Sequence, residues 1–96
     1  MRALEMERVA DLAYLEVVQE LLSCKTPKEM GLYPVEAHLF YNLGQTTQSI
    51  NGFYQLNIVK ESPDKKCSLF EITILLPKEE ETLNYSYLLA YTKKAQ

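Results

Sequence analysis

The stretch Cys67-Ser68-Leu69-Phe70-Glu71-Ile72-Thr73-Ile74-Leu75-Leu76 decides the fold. Phe70, Ile72, Ile74 and Leu76 recur at every second position, and Ser68 shares their side. A period of two belongs to a β-strand with one face on a core. Upstream, Ser62-Pro63-Asp64-Lys65 fits a type I turn. Before that turn residues 53–60 alternate as well, with Tyr54, Leu56 and Ile58 on one side and Gln55 and Asn57 on the other. Downstream, Pro77-Lys78-Glu79-Glu80-Glu81 reads as a charged turn, and residues 83–92 as a last strand. These connections are too short for parallel crossovers, which need roughly a dozen residues or more. The strands are therefore expected to form an antiparallel meander.

The N-terminal segment has the other period. Residues 3–24 contain no Gly or Pro and are rich in Ala, Leu, Glu and Met, which favour helix. On a helical wheel Met6, Val9, Ala10, Ala13, Tyr14, Val17 and Leu21 fall on one face. Glu5, Arg8, Glu16, Gln19 and Glu20 lie largely opposite. A second apolar stripe, Leu4, Leu15, Val18 and Leu22, is flanked by Leu12 and interrupted by Arg8 and Asp11. A helix lying on one sheet has no use for this stripe, so either another segment of the chain covers it or another molecule does.

Between these two regions the signals are mixed. Thr26-Pro27-Lys28-Glu29 is a capping box with Pro at the first helical position, and Gly31 follows, which predicts a short helical turn over 27–31. In residues 34–43, alternation of Val35, Ala37, Leu39, Tyr41 and Leu43 argues for a strand, and Pro34, Glu36 and Gly44 argue for a short helix. The β-favouring cluster Leu39-Phe40-Tyr41 tips the reading to a strand over 35–43. Gly44 to Gly52 then reads as a polar loop ending in the turn signal Asn51-Gly52. The sequence thus predicts one α+β domain over 1–96, an amphipathic helix packed on a 3–4 stranded antiparallel meander.

Composition narrows the function classes. The chain has 96 residues, 47% apolar and 24% charged, which is ordinary for a globular protein. Its net charge is −3 and its pI about 5.1. A duplex nucleic-acid binder needs a basic field to neutralise phosphates, and here the positive charges form only the pairs Lys65–Lys66 and Lys93–Lys94. No nucleic-acid partner is expected. No apolar run approaches the ~18 residues that cross a bilayer, and the charged N-terminus does not read as a signal peptide. No membrane contact is expected, and a reducing cytoplasm with Cys24 and Cys67 as free thiols is. The sequon Asn84-Tyr85-Ser86 then carries no meaning.

The residue types that carry catalysis are sparse. His38 is the only histidine, and neither Cys24 nor Cys67 sits in a recognised nucleophile motif. Glu36 and His38 would share a strand face, yet zinc sites use closely spaced ligand pairs and the two cysteines are far apart. Glu79, Glu80 and Glu81 read as a solvated turn rather than a buried acid–base pair. Gly44 and Gly52 have no Lys-Ser/Thr after them, so no phosphate loop is present. No catalytic residue, metal ligand or cofactor site is expected, and the chain does not read as an enzyme.

The seven tyrosines, with no Trp, are the compositional oddity. Tyr85, Tyr87 and Tyr91 share a face of the last strand with Leu83 and Leu89, and Leu88 and Ala90 occupy the other. Either the tyrosine face packs on the helix with its hydroxyls at the rim, or apolar surface is left over on this strand, and aromatic-rich leftover surface is where partners tend to bind. The expectation is a non-enzymatic protein–protein interaction module that self-associates as a dimer, or binds another protein, through Leu4, Leu15, Val18, Leu22, Tyr85, Tyr87 or Tyr91. Two alternatives stand beside it. One is a small acidic inhibitor, immunity protein or adaptor that meets a basic partner. The other, less favoured, is a binder of a small apolar ligand held between helix and sheet.

Overall fold

The computed structural model describes residues 3–24, 29–40 and 47–92. Within these residues the chain forms one helix, α1 (Ala3–Ser23), and four strands, β1 (Gly31–Phe40), β2 (Thr47–Glu61), β3 (Cys67–Lys78) and β4 (Glu81–Thr92). The strands make a single sheet in the order β1-β2-β3-β4, each neighbouring pair antiparallel. This is an α+β fold with the helix on one sheet face. The smallest dimension, 18 Å, is that of two layers.

The core is the meeting of the two periods. From α1 it takes Met6, Val9, Ala10, Ala13, Val17 and Leu21, the face the helical wheel isolates, with half-buried Tyr14 beside them. From the sheet it takes Ala37, Tyr54, Leu56, Phe70, Ile72, Ile74 and Leu76. Burying a large aliphatic side chain of this kind is worth roughly 1.5–3 kcal/mol. The alanines let the helix approach the sheet closely. The helix runs across the strands. Its Asp11 and Tyr14 reach Tyr87 on β4, Glu16 reaches His38 on β1, and Glu20 accepts a hydrogen bond from Tyr54 on β2.

The strand ends differ from the sequence reading. β1 begins at Gly31, inside the segment 27–31 expected to turn as a helix; residues 27–28 of that segment lie outside the described residues. Pairing with β2 takes Gly31 into the strand in place of the expected helix end, with Gly31 opposite Leu56 and Tyr33 opposite Tyr54. The expected end of this strand, residues 41–43, also lies outside the described residues, as do residues 44–46 of the expected loop. The rest of that loop is corrected. Asn51 and Gly52 make no turn but pair within β2 with Glu36 and Val35. Gly52 is there for proximity: a Cβ on it would stand 2.4 Å from the Leu75 carbonyl oxygen and 3.0 Å from Leu76 Cδ2. β2 is therefore a 15-residue strand, bulged between Ile58 and Lys60 where Val59 is left over.

The two turns between β2, β3 and β4 are tight. Lys65 N–H donates to the Ser62 carbonyl at 2.9 Å, as a type I turn requires, and Lys65 itself has φ 62°. The Ser62 hydroxyl donates to Asp64 Oδ1 at 2.6 Å, and the Lys66 N–H to the same oxygen at 3.1 Å. These donors hold the Asp64 carboxyl below its ordinary range, the Ser62 hydroxyl first. The second turn is shorter than expected. Pro77 and Lys78 remain in β3, paired with Thr82 and Glu81, and only Glu79 and Glu80 connect the strands. Glu79 adopts φ 55° to close it.

Candidate functional site

With α1 on one sheet face, three surfaces are left: the outer side of the helix, the helix-free sheet face and the two sheet edges. On the helix, Leu15 is 56% exposed and Leu22 52% exposed, with Val18 half-buried between them. No described segment covers the second stripe. Leu4 lies in α1, but its side chain lies outside the described set.

Tyr85, Tyr87 and Tyr91 sit on the helix side of β4, half-buried against the core together with Leu83 and Leu89. Tyr87 stacks on Tyr14 and donates its hydroxyl to Asp11 Oδ1 at 2.7 Å. Tyr91 packs at a tilt on Phe70, with ring centroids 5.4 Å apart. Burial raises the Tyr87 hydroxyl well above its ordinary value, and the hydrogen bond to Asp11 adds to the shift. Burial also raises Tyr14. The structure therefore separates the residues singled out by sequence. Leu15, Val18 and Leu22 stay on the outer helix, and the tyrosines line the rim of the core along the free edge of the sheet.

The helix-free face carries apolar residues of its own. Leu32 of β1, Phe53 of β2 and Leu88 of β4 are all more than half exposed. Of these, only Leu88 is visible as surplus in the sequence. Leu32 adjoins the segment whose local signals favour a helical turn, and Phe53 is overshadowed by the stronger alternation of Tyr54, Leu56 and Ile58. Register supplies the missing signal: Pro34, Phe53 and Leu75 stand side by side across three strands.

Polar chemistry is thin. His38 lies between two carboxylates, Nε2 at 2.8 Å from Glu36 Oε1 and Nδ1 at 3.7 Å from Glu16 Oε1, all of them solvent-accessible. This is a surface network that ties the helix to β1. Cys24 and Cys67 are free thiols, and Cys67 is exposed. Among the described residues no group of three or more His, Cys, Asp or Glu side chains is gathered as metal ligands. No described helix is long and apolar enough to cross a membrane. A depression of about 550 Å³ lies between the β2–β3 turn and the end of β4, lined in part by Lys60, Pro63, Cys67, Leu69 and Tyr91. No side chain in it forms a reactive pair.

The arrangement defines an α+β protein with one helix-covered sheet face and one open face. Compared with protein-family models, curated proteins and solved structures, the chain gives no significant match.

Proposed function

We propose that this protein is a non-enzymatic interaction module that associates with a second copy of itself. The observation that carries the reading is the exposure of large apolar side chains on opposite sides of the molecule: Leu15 and Leu22 on the helix, and Leu32, Phe53 and Leu88 on the sheet. At roughly 25 cal/mol per Å² of apolar surface removed from water, covering even part of this set contributes several kcal/mol to association. A chain of 96 residues has a small core, so burial in a complex adds a large fraction to its stability. The free thiols suit a reducing compartment, and the cytoplasm is the location that goes with this reading.

Mass in solution tests it. Light scattering at high micromolar concentration is expected to give twice the 11.1 kDa chain mass. A strict monomer there overturns the reading.

A further inference from the structure

We infer that β4 is the seam of the dimer: two copies pair this strand antiparallel about a two-fold axis, joining two four-stranded sheets into one continuous sheet. The inference rests on the self-association reading above and names its surface.

A sheet edge exposes unpaired N–H and C=O groups, and folded proteins blunt such edges with prolines, charges, bulges or covering elements. The β1 edge is blunted. Pro34 has no N–H, Glu36 and His38 stand along it, and Glu16 reaches His38 from the helix. Among the described residues the β4 edge has no proline, bulge or covering element, and its one charge is Glu81 at its start. It is 12 residues long and pairs with β3 from Glu81 to Thr92 without a register shift. From Thr82 to Thr92 it contains no proline, glycine or charged residue.

The turn fixes which backbone groups are free. A two-residue connection makes its closing pair, Lys78 and Glu81, a hydrogen-bonded pair. Alternation then directs the N–H and C=O of Thr82, Asn84, Ser86, Leu88, Ala90 and Thr92 away from β3. Water can satisfy these groups, and as a row they are also a template for one more extended strand.

A second β4 fits that requirement. With Leu88 on the axis, Leu88 meets its own copy. Leu88 is 65% exposed, more than any other large apolar side chain among the described residues. On the same face Ser86 meets the second copy's Ala90, and Asn84 its Thr92. On the helix face Tyr85 meets the second copy's Tyr91, and Tyr87 its Leu89, so the half-buried tyrosine rim continues into the neighbouring core. No like charges oppose each other in this register. Pairing then runs from Asn84 to Thr92. At a rise of about 3.4 Å per residue the seam is about 30 Å long and covers on the order of 500 Å² per copy, at the small end of specific interfaces.

The test compares Ser86→Pro with Leu15→Glu/Leu22→Glu by light scattering and sedimentation. The Ser86 N–H faces away from β3, so proline there removes the outer donor and no backbone bond to β3; it also removes the 3.2 Å hydroxyl contact between Ser86 and Thr73, which Leu88→Lys leaves in place. Ser86→Pro is expected to be a folded monomer, with dimer dissociation at least 100-fold easier, and Leu88→Lys is expected to do the same without any backbone change. The helix variant is expected to stay dimeric. In a Cys24→Ser/Cys67→Ser background, Leu88→Cys is expected to cross-link into a covalent dimer on mild oxidation, because paired Cα atoms about 5.5 Å apart suit a disulfide. A dimeric wild type whose mass is unchanged by both Ser86→Pro and Leu88→Lys overturns the seam and leaves self-association standing. A monomeric wild type overturns both.

Discussion

The rings of Tyr14 on α1 and Tyr87 on β4 stack with centroids 4.2 Å apart and planes 8° from parallel. Tyr87 also donates to Asp11, one helical turn before Tyr14. A single strand residue thus holds the helix by both its ring and its hydroxyl. Among the described residues nothing else fixes where α1 crosses the far edge of the sheet as directly, since its other polar ties run to β1 and β2.

Tyr87→Phe keeps the ring contact and removes the hydroxyl. The expected loss is about 0.5–1.5 kcal/mol, the value of one hydrogen bond to a carboxylate at a partly exposed site. Tyr14→Ala removes the stack and part of the core rim and is expected to cost about 2–3 kcal/mol. Urea denaturation of the two single variants and the double variant measures both, and a coupling energy near zero would show that ring and hydroxyl act independently.

Alkaline pH should loosen the same joint. Tyr87 and Tyr14 have hydroxyls raised above the ordinary 10.0, so the fold prefers their neutral forms. Their contribution is fully present below pH 10.0 and is lost as pH rises above it toward the folded-state values. Thermal melts are expected to hold level from neutral pH to about 10 and to fall beyond it. In Tyr87→Phe the fall is expected to be shallower; an equal fall would assign the alkaline loss to other groups.

Gly52→Ala is expected to be among the most damaging of small substitutions. Its Cβ would meet a backbone oxygen at 2.4 Å, which no side-chain rotation relieves. The expected cost is about 2–3 kcal/mol, read as a lower urea midpoint with an unchanged slope. The preceding position offers the contrast: Asn51→Ser lies on an exposed site and is expected to stay within about 0.5 kcal/mol of wild type.

Much of this architecture is legible in the residues. The helix face from Met6 to Leu21 and the inward sets of β2 and β3 follow from periods of 3.6 and 2, because burial on one side forces those periods. The antiparallel order follows from connections too short to cross over. Gly31 and Asn51-Gly52 mislead because turn signals are local, and cross-strand pairing with Leu56 in one case and with Glu36 and Val35 in the other outweighs them.

The candidate surface is legible only in part. Sequence identifies Leu15, Val18 and Leu22 as a stripe that one sheet does not need, and it marks β4 as apolar on both sides. The meander already puts the first and last strands at the edges, but linear order leaves open which face the helix covers. Tertiary structure decides that: the β4 tyrosines turn to the helix and Leu88 turns away. The reason is that alternation along a strand defines two faces, whereas only packing against a third element decides which of them water keeps.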